Sequence, residues 1–169
     1  MRNLGPVTIV AALLATGAAR AQDDFGIGVI LAEPTGLSAK LWLNEREAID
    51  AAAAWSFSDY SSFQFHADYL IHRFDLFHNV DTTVGRPALY FGAGGRLKLG
   101  EDNGRGNDDD KNRLGIRVPV GMTYIFAKAP FDVFGEVVPV LDLAPDTEVD
   151  LNAAVGGRFY FGRRGQLAR

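Results

Sequence analysis

Ser61 and Ser62 lie just before His66 and Asp68, so a hydroxyl nucleophile, a base and an orienting carboxylate fall within one short stretch. Such a set does acyl-transfer chemistry only when all three groups converge within hydrogen-bond reach. An enzyme acting on lipid must also turn them towards lipid. Three histidines, His66, His72 and His78, are spaced six apart. On an extended strand His66 and His72 share a face but stand roughly 20 Å apart at ~3.3 Å per residue, which is no shared metal site. The stretch Gly100 to Asn112 is rich in oxygen ligands and could take calcium weakly. It lacks the ordered spacing and closing glutamate of an EF-hand, and reads first as a solvated loop. No cofactor motif is present.

The elements that must carry these residues are strands. Alternation of apolar and polar residues recurs from Phe25 onward, and turn signals divide it into eight segments, at about 25–31, 37–43, 48–58, 62–72, 88–99, 113–126, 131–143 and 149–161. Between them lie turn chemistries such as Glu33-Pro34-Thr35-Gly36, Gly85-Arg86-Pro87, Ala129-Pro130 and Ala144-Pro145-Asp146. Ala51 to Ala54 could form helix on propensity alone, but the run lies in phase with an alternating strand between Ile49 and Phe57. The last segment is the most regular: Val149, Leu151, Ala153, Val155, Gly157, Phe159 and Phe161 form one nearly apolar face.

Before Phe25 the chain reads differently. Met1-Arg2, an apolar run from Val7 to Ala19, and Ala19-Arg20-Ala21 match the charged, apolar and small-residue parts of a secretory signal, with cleavage expected after Ala21. The run is shorter than the ~20 residues of a spanning helix. Residues 22–169 then make a single barrel domain, with a short basic tail over 162–169. The net charge of -4 becomes -6 once Arg2 and Arg20 are removed. An acidic chain with no basic cluster is a poor nucleic-acid binder. With no cysteine, disulfides and thiolate metal sites are excluded. No later stretch is apolar enough for a membrane helix, so spanning would require a closed barrel.

A period of two does not say which face meets solvent. A soluble eight-stranded barrel puts apolar residues inside, yet the apolar face here carries Phe25, Trp55, Phe63, Phe65, Phe91, Phe159, Phe161 and other bulky groups that a narrow interior cannot hold. The polar face carries glycines, among them Gly26, Gly94, Gly121 and Gly156, which would make room for long charged neighbours, and the chain has only four lysines. The expected arrangement is therefore charged inside and apolar outside. The interior set is Lys40, Asp50, Gln64, His66, Asp68, His72, Arg96, Lys98, Arg113, Arg117, Glu136, Asp142, Asp150, Asn152 and Arg158. Of these, Lys40, Asp68, Arg96, Arg117, Glu136 and Arg158 are expected at middle depth, in an ion-pair network centred on Glu136 and Asp68. His66 and Asp68 then point inward, away from any lipid substrate. Aromatics sort to two rims: Phe25, Phe91, Tyr124, Phe126, Phe131, Phe159 and Phe161 at one, Trp55, Phe57, Phe63 and Phe65 at the other.

The segments Leu89 to Lys98, Arg113 to Gly121 and Asp132 to Leu143 resemble a family of small outer-membrane β-barrels that has spirochaete members and no agreed activity. That family is similar in architecture to the transmembrane domain of outer membrane protein A. The resemblance implies an all-β, eight-stranded antiparallel up-and-down transmembrane barrel in a Gram-negative-type cell envelope. Gly156, Phe159 and Phe161 resemble the signal read by the barrel-assembly machinery, although Ala154 stands where a polar residue is usual and residues 162–169 run past the last aromatic. The partners this implies are outer-membrane lipid, lipopolysaccharide and that machinery, with a surface ligand reachable through Gly100 to Asn112. The expected role is structural or surface-interacting, without catalysis or cofactor. The alternatives are a narrow, porin-like gated pore and a soluble periplasmic barrel that binds an apolar ligand.

Overall fold

The computed structural model describes residues 25–32, 35–56, 62–78, 80–100, 112–145 and 147–161. The expected signal segment, the basic tail, Phe57, Ser61 and residues 101–111 of the acidic loop lie outside them. Among the described residues nine antiparallel strands make one sheet: β1 (Phe25–Ala32), β2 (Thr35–Trp42), β3 (Glu47–Ser56), β4 (Ser62–Arg73), β5 (Gly85–Gly100), β6 (Arg113–Arg117), β7 (Val120–Phe126), β8 (Phe131–Ala144) and β9 (Glu148–Phe161). Each strand pairs with its neighbour in sequence, apart from β6 and β7. β4 pairs with β5, and β1 with β9, so the sheet closes and leaves no edge.

The ninth strand does not add a ninth position to the wall. β6 and β7 both lie between β5 and β8, and the pairings Gly94 with Arg117 and Phe91 with Val120 keep a single register across the gap. The gap is Val118-Pro119, and proline has no N–H to give to the ladder. The backbone still holds there, with Gly92 N donating to the Pro119 carbonyl and Val118 N to the Pro139 carbonyl, both at 3.0 Å. The architecture is thus an eight-position up-and-down barrel in which one wall strand is interrupted. Ala51 to Ala54 lie within β3, paired with β2 and β4. The strand pairing of that run outweighs alanine's helix propensity.

Alternation sorts the faces. Ile27, Val29, Phe63, Phe65, Phe91, Ile116, Phe159 and Phe161 are exposed on the outside, and Val149 reaches 77% exposure. Lys40, Asp50, Asp68, His72, Arg96, Arg117, Asp142 and Arg158 are buried. A soluble barrel for an apolar ligand would need the reverse lining. Tyr124 and Phe126 are half-buried, packed edge to face at 5.1 Å, and Phe126 leans on Phe131 at 5.9 Å. Because β5 begins at Gly85 rather than near residue 88, Phe91 lies deeper along its strand than a rim residue would.

Candidate functional site

Two ends can be distinguished. The terminal end carries Phe25, the turn after Trp42, the link from β4 to β5, and Phe161; the loop end carries the connections after Ala32, Ser56, Gly100 and Ala144. Strand direction then places each inward side chain along the bore.

Near the loop end, the Arg96 guanidinium grips Asp142 with two hydrogen bonds, Nη2 to Oδ2 at 2.6 Å and Nε to Oδ1 at 3.3 Å. Its Nη1 reaches Asp150 at 3.1 Å. Arg113 bonds Glu148 at 2.9 Å and stands 3.8 Å from Asp142. At middle depth Arg117 lies between two carboxylates, 2.9 Å from Asp68 and 3.2 Å from Glu136. Tyr90 donates its hydroxyl to the other oxygen of Glu136 at 2.8 Å. Closer to the terminal end Arg158 repeats the arrangement, 2.8 Å from Asp50 and 3.9 Å from Asp132. There Tyr160 donates to Asp132 at 2.7 Å, and the Arg158 guanidinium lies 3.8 Å above the Phe134 ring.

Lys40 differs from the arginines. Its Nζ is 2.8 Å from His72 Nε2 and sits over the rings of Trp42 and Tyr90 at 4.7 and 5.2 Å. His72 Nδ1 lies 3.1 Å from the Arg46 carbonyl, which can only accept. The ring therefore carries its proton on Nδ1 and offers Nε2 to the lysine. Trp42, His72, Phe74 and Tyr90 stack into an aromatic stopper at this end.

The six charges expected at middle depth are thus distributed along the bore. Arg117, Asp68 and Glu136 are in contact. Arg96 joins Asp142 instead, Arg158 joins Asp50 and Asp132, and Lys40 joins a histidine. The expected interior set contains no aromatic residue, yet Trp42, Tyr90, Phe134 and Tyr160 are all buried inside. Several inward glycines accommodate these rings rather than charged chains. A Cβ on Gly26 would sit 2.6 Å from Tyr160 Cε1, and one on Gly156 would sit 2.5 Å from Phe134 Cζ. Asp132, absent from the expected set, is two strand steps from Phe134 on the same inward parity, and that parity is the signal that would have found it.

Of the hydrolytic set, Ser61 lies outside the described residues, and the Asp68 carboxylate is 2.9 Å from Arg117, which reaches it over Gly94 of the intervening strand. Among the described residues no group of three or more His, Asp or Glu side chains is placed to hold a metal ion. Between the middle and loop-end pairs lies a cavity of about 20 Å³, whose polar lining is Gln64, His66, Arg117, Glu136 and Asn152.

A closed eight-position barrel, apolar outside and filled with paired charge, is the class that the fold defines. Among solved structures the chain is similar to the N-terminal β-barrel domain of Pseudomonas aeruginosa OprF, with TM-score 0.57 and 15% identity over 82% of this chain and 97% of that one. It also matches Neisserial surface protein A, with TM-score 0.44 and 15% identity over 82% of this chain and 94% of that one. No family model and no curated protein matches the sequence.

Proposed function

We propose that this chain is a bacterial outer-membrane β-barrel protein with a structural or surface-interaction role and no catalytic activity, exported through a signal segment at residues 1–21. Membership of the small barrel family that the sequence resembles is part of this reading. The observation that carries it is the inversion of the faces. A closed wall with no open edge presents Val29, Phe65, Ile116, Leu151 and Phe159 outward, while the buried cations Lys40, Arg96, Arg117 and Arg158 meet carboxylates or aromatic groups. Lipid is the solvent in which such a surface is favourable, since a closed antiparallel wall pairs its backbone within itself. The loop end then faces outward and the terminal end the periplasm, with lipopolysaccharide and the assembly machinery as partners and residues 100–112 as the reach towards any surface ligand. Fractionation tests the proposal. The protein should leave the outer-membrane fraction only in detergent and migrate faster on gels before boiling than after; recovery from the soluble periplasm would overturn it.

A narrow gated pore is the second reading, and one local feature favours it. At Arg117 two carboxylates hold one guanidinium beside a cavity, so a change of partner is all that movement there requires.

A further inference from the structure

We infer that the cavity between the Arg117 and Arg96 levels is a binding site for one or two ordered waters, held by the polar side chains that line it within an otherwise tightly filled bore. His66 is 5% exposed. The ring helps line the cavity, with Gln64 and Asn152 beside it and Arg117 and Glu136 completing its polar surface. Polar side chains around a buried space are costly without partners, and a water held there serves several of them at once.

The lining selects the occupant. An anion would face the Glu136 carboxylate, and the Arg117 guanidinium that would attract it is already held between Asp68 and Glu136. A metal cation would find Glu136 already engaged at both oxygens, by Tyr90 and Arg117. The other polar lining groups are the imidazole and two amides, which can both donate and accept. That combination fits water. The space agrees, because about 20 Å³ exceeds the ~10–15 Å³ that one water needs and falls far short of a larger ligand. Ile30, Ala54 and Val138 form the apolar part of the wall and confine the water to the polar side.

The inference does not depend on whether the barrel conducts, and it can be tested on the full-length protein in detergent. Hydroxyl radicals generated from water by a short X-ray pulse label side chains next to bound water even where bulk solvent cannot reach. His66 and Val138 should be labelled well above Leu70 and Val140, which are as buried as Val138 but do not line the cavity. Ala54→Leu, which extends an apolar side chain into the space, should bring His66 labelling down to the level of Leu70 while heat-modifiable migration is kept. Labelling of His66 and Val138 at the Leu70 level in the unaltered protein would overturn the inference. So would unchanged His66 labelling in a folded Ala54→Leu variant. Should that variant fail to fold, Val138→Ile gives the same readout from the opposite wall.

Discussion

At the scale of single residues, the interior is a set of charges that are tolerable only in company. Arg96 and Asp142 illustrate this, since both side chains are almost wholly buried and their bond is bidentate. Removing one partner leaves a desolvated charge, which typically costs about 3–5 kcal/mol, whereas replacing both by apolar groups costs far less. Denaturant unfolding in lipid vesicles should therefore show Asp142→Leu strongly destabilised and the double variant Arg96→Met with Asp142→Leu recovering much of the loss. If the two single losses simply add, the residues are not coupled. Outside the wall the electrostatics are simpler. Arg73 donates to both oxygens of Asp75 at 2.9 and 2.7 Å, and this holds the Asp75 carboxyl well below the usual carboxylate range. A depressed folded value means that the pair's contribution is present above the unfolded value near 3.9 and is lost only as pH falls through the folded one. The Asp75 side-chain carbon signal should show an ionised group at pH 3 and return to ordinary titration in Arg73→Gln.

At the scale of elements, periodicity was informative and register was not. A period of two locates all the strands and assigns each residue a face, because side chains on a strand alternate whatever its neighbours are. For that reason Lys40, Asp50, His66, Arg117, Asp142 and Arg158 could be placed inside from sequence alone. The partners they meet depend on how far each strand is displaced against the next, and no local pattern records that displacement. Arg96 therefore meets Asp142 rather than Glu136, and Asp132, close to a turn, escapes notice although it binds Tyr160. The inward aromatics were obscured for a related reason: Tyr90, Phe134 and Tyr160 each lie opposite a glycine of the next strand, and that pairing spans strands. Gly26 tests the point, since its three nearest obstacles all belong to the Tyr160 ring. Gly26→Ala should destabilise the barrel by about 1–3 kcal/mol in denaturant unfolding, as overpacking generally does. In a Tyr160→Val background the added methyl should cost nothing measurable.

At the scale of the whole molecule, the filling of the bore decides between a plug and a passage. Three levels of paired arginine and an aromatic stopper occupy the space between Asp150 and Trp42. Purified protein in planar bilayers should accordingly be silent. Reproducible conductance that changes in Glu136→Ala would establish the gated-pore reading instead, because that substitution releases Arg117 on one side while leaving Asp68 in place.

Two prolines give the wall a mechanical property of its own. Val118 donates to the Pro139 carbonyl and Gly92 to the Pro119 carbonyl, but neither proline can return the bond. Adjacent rungs on both sides of one strand are thus single where the rest of an antiparallel ladder is doubled. The barrel carries a crease at that height, next to Arg117, where three strands can flex against one another most cheaply. Any breathing of the cylinder would begin along this line.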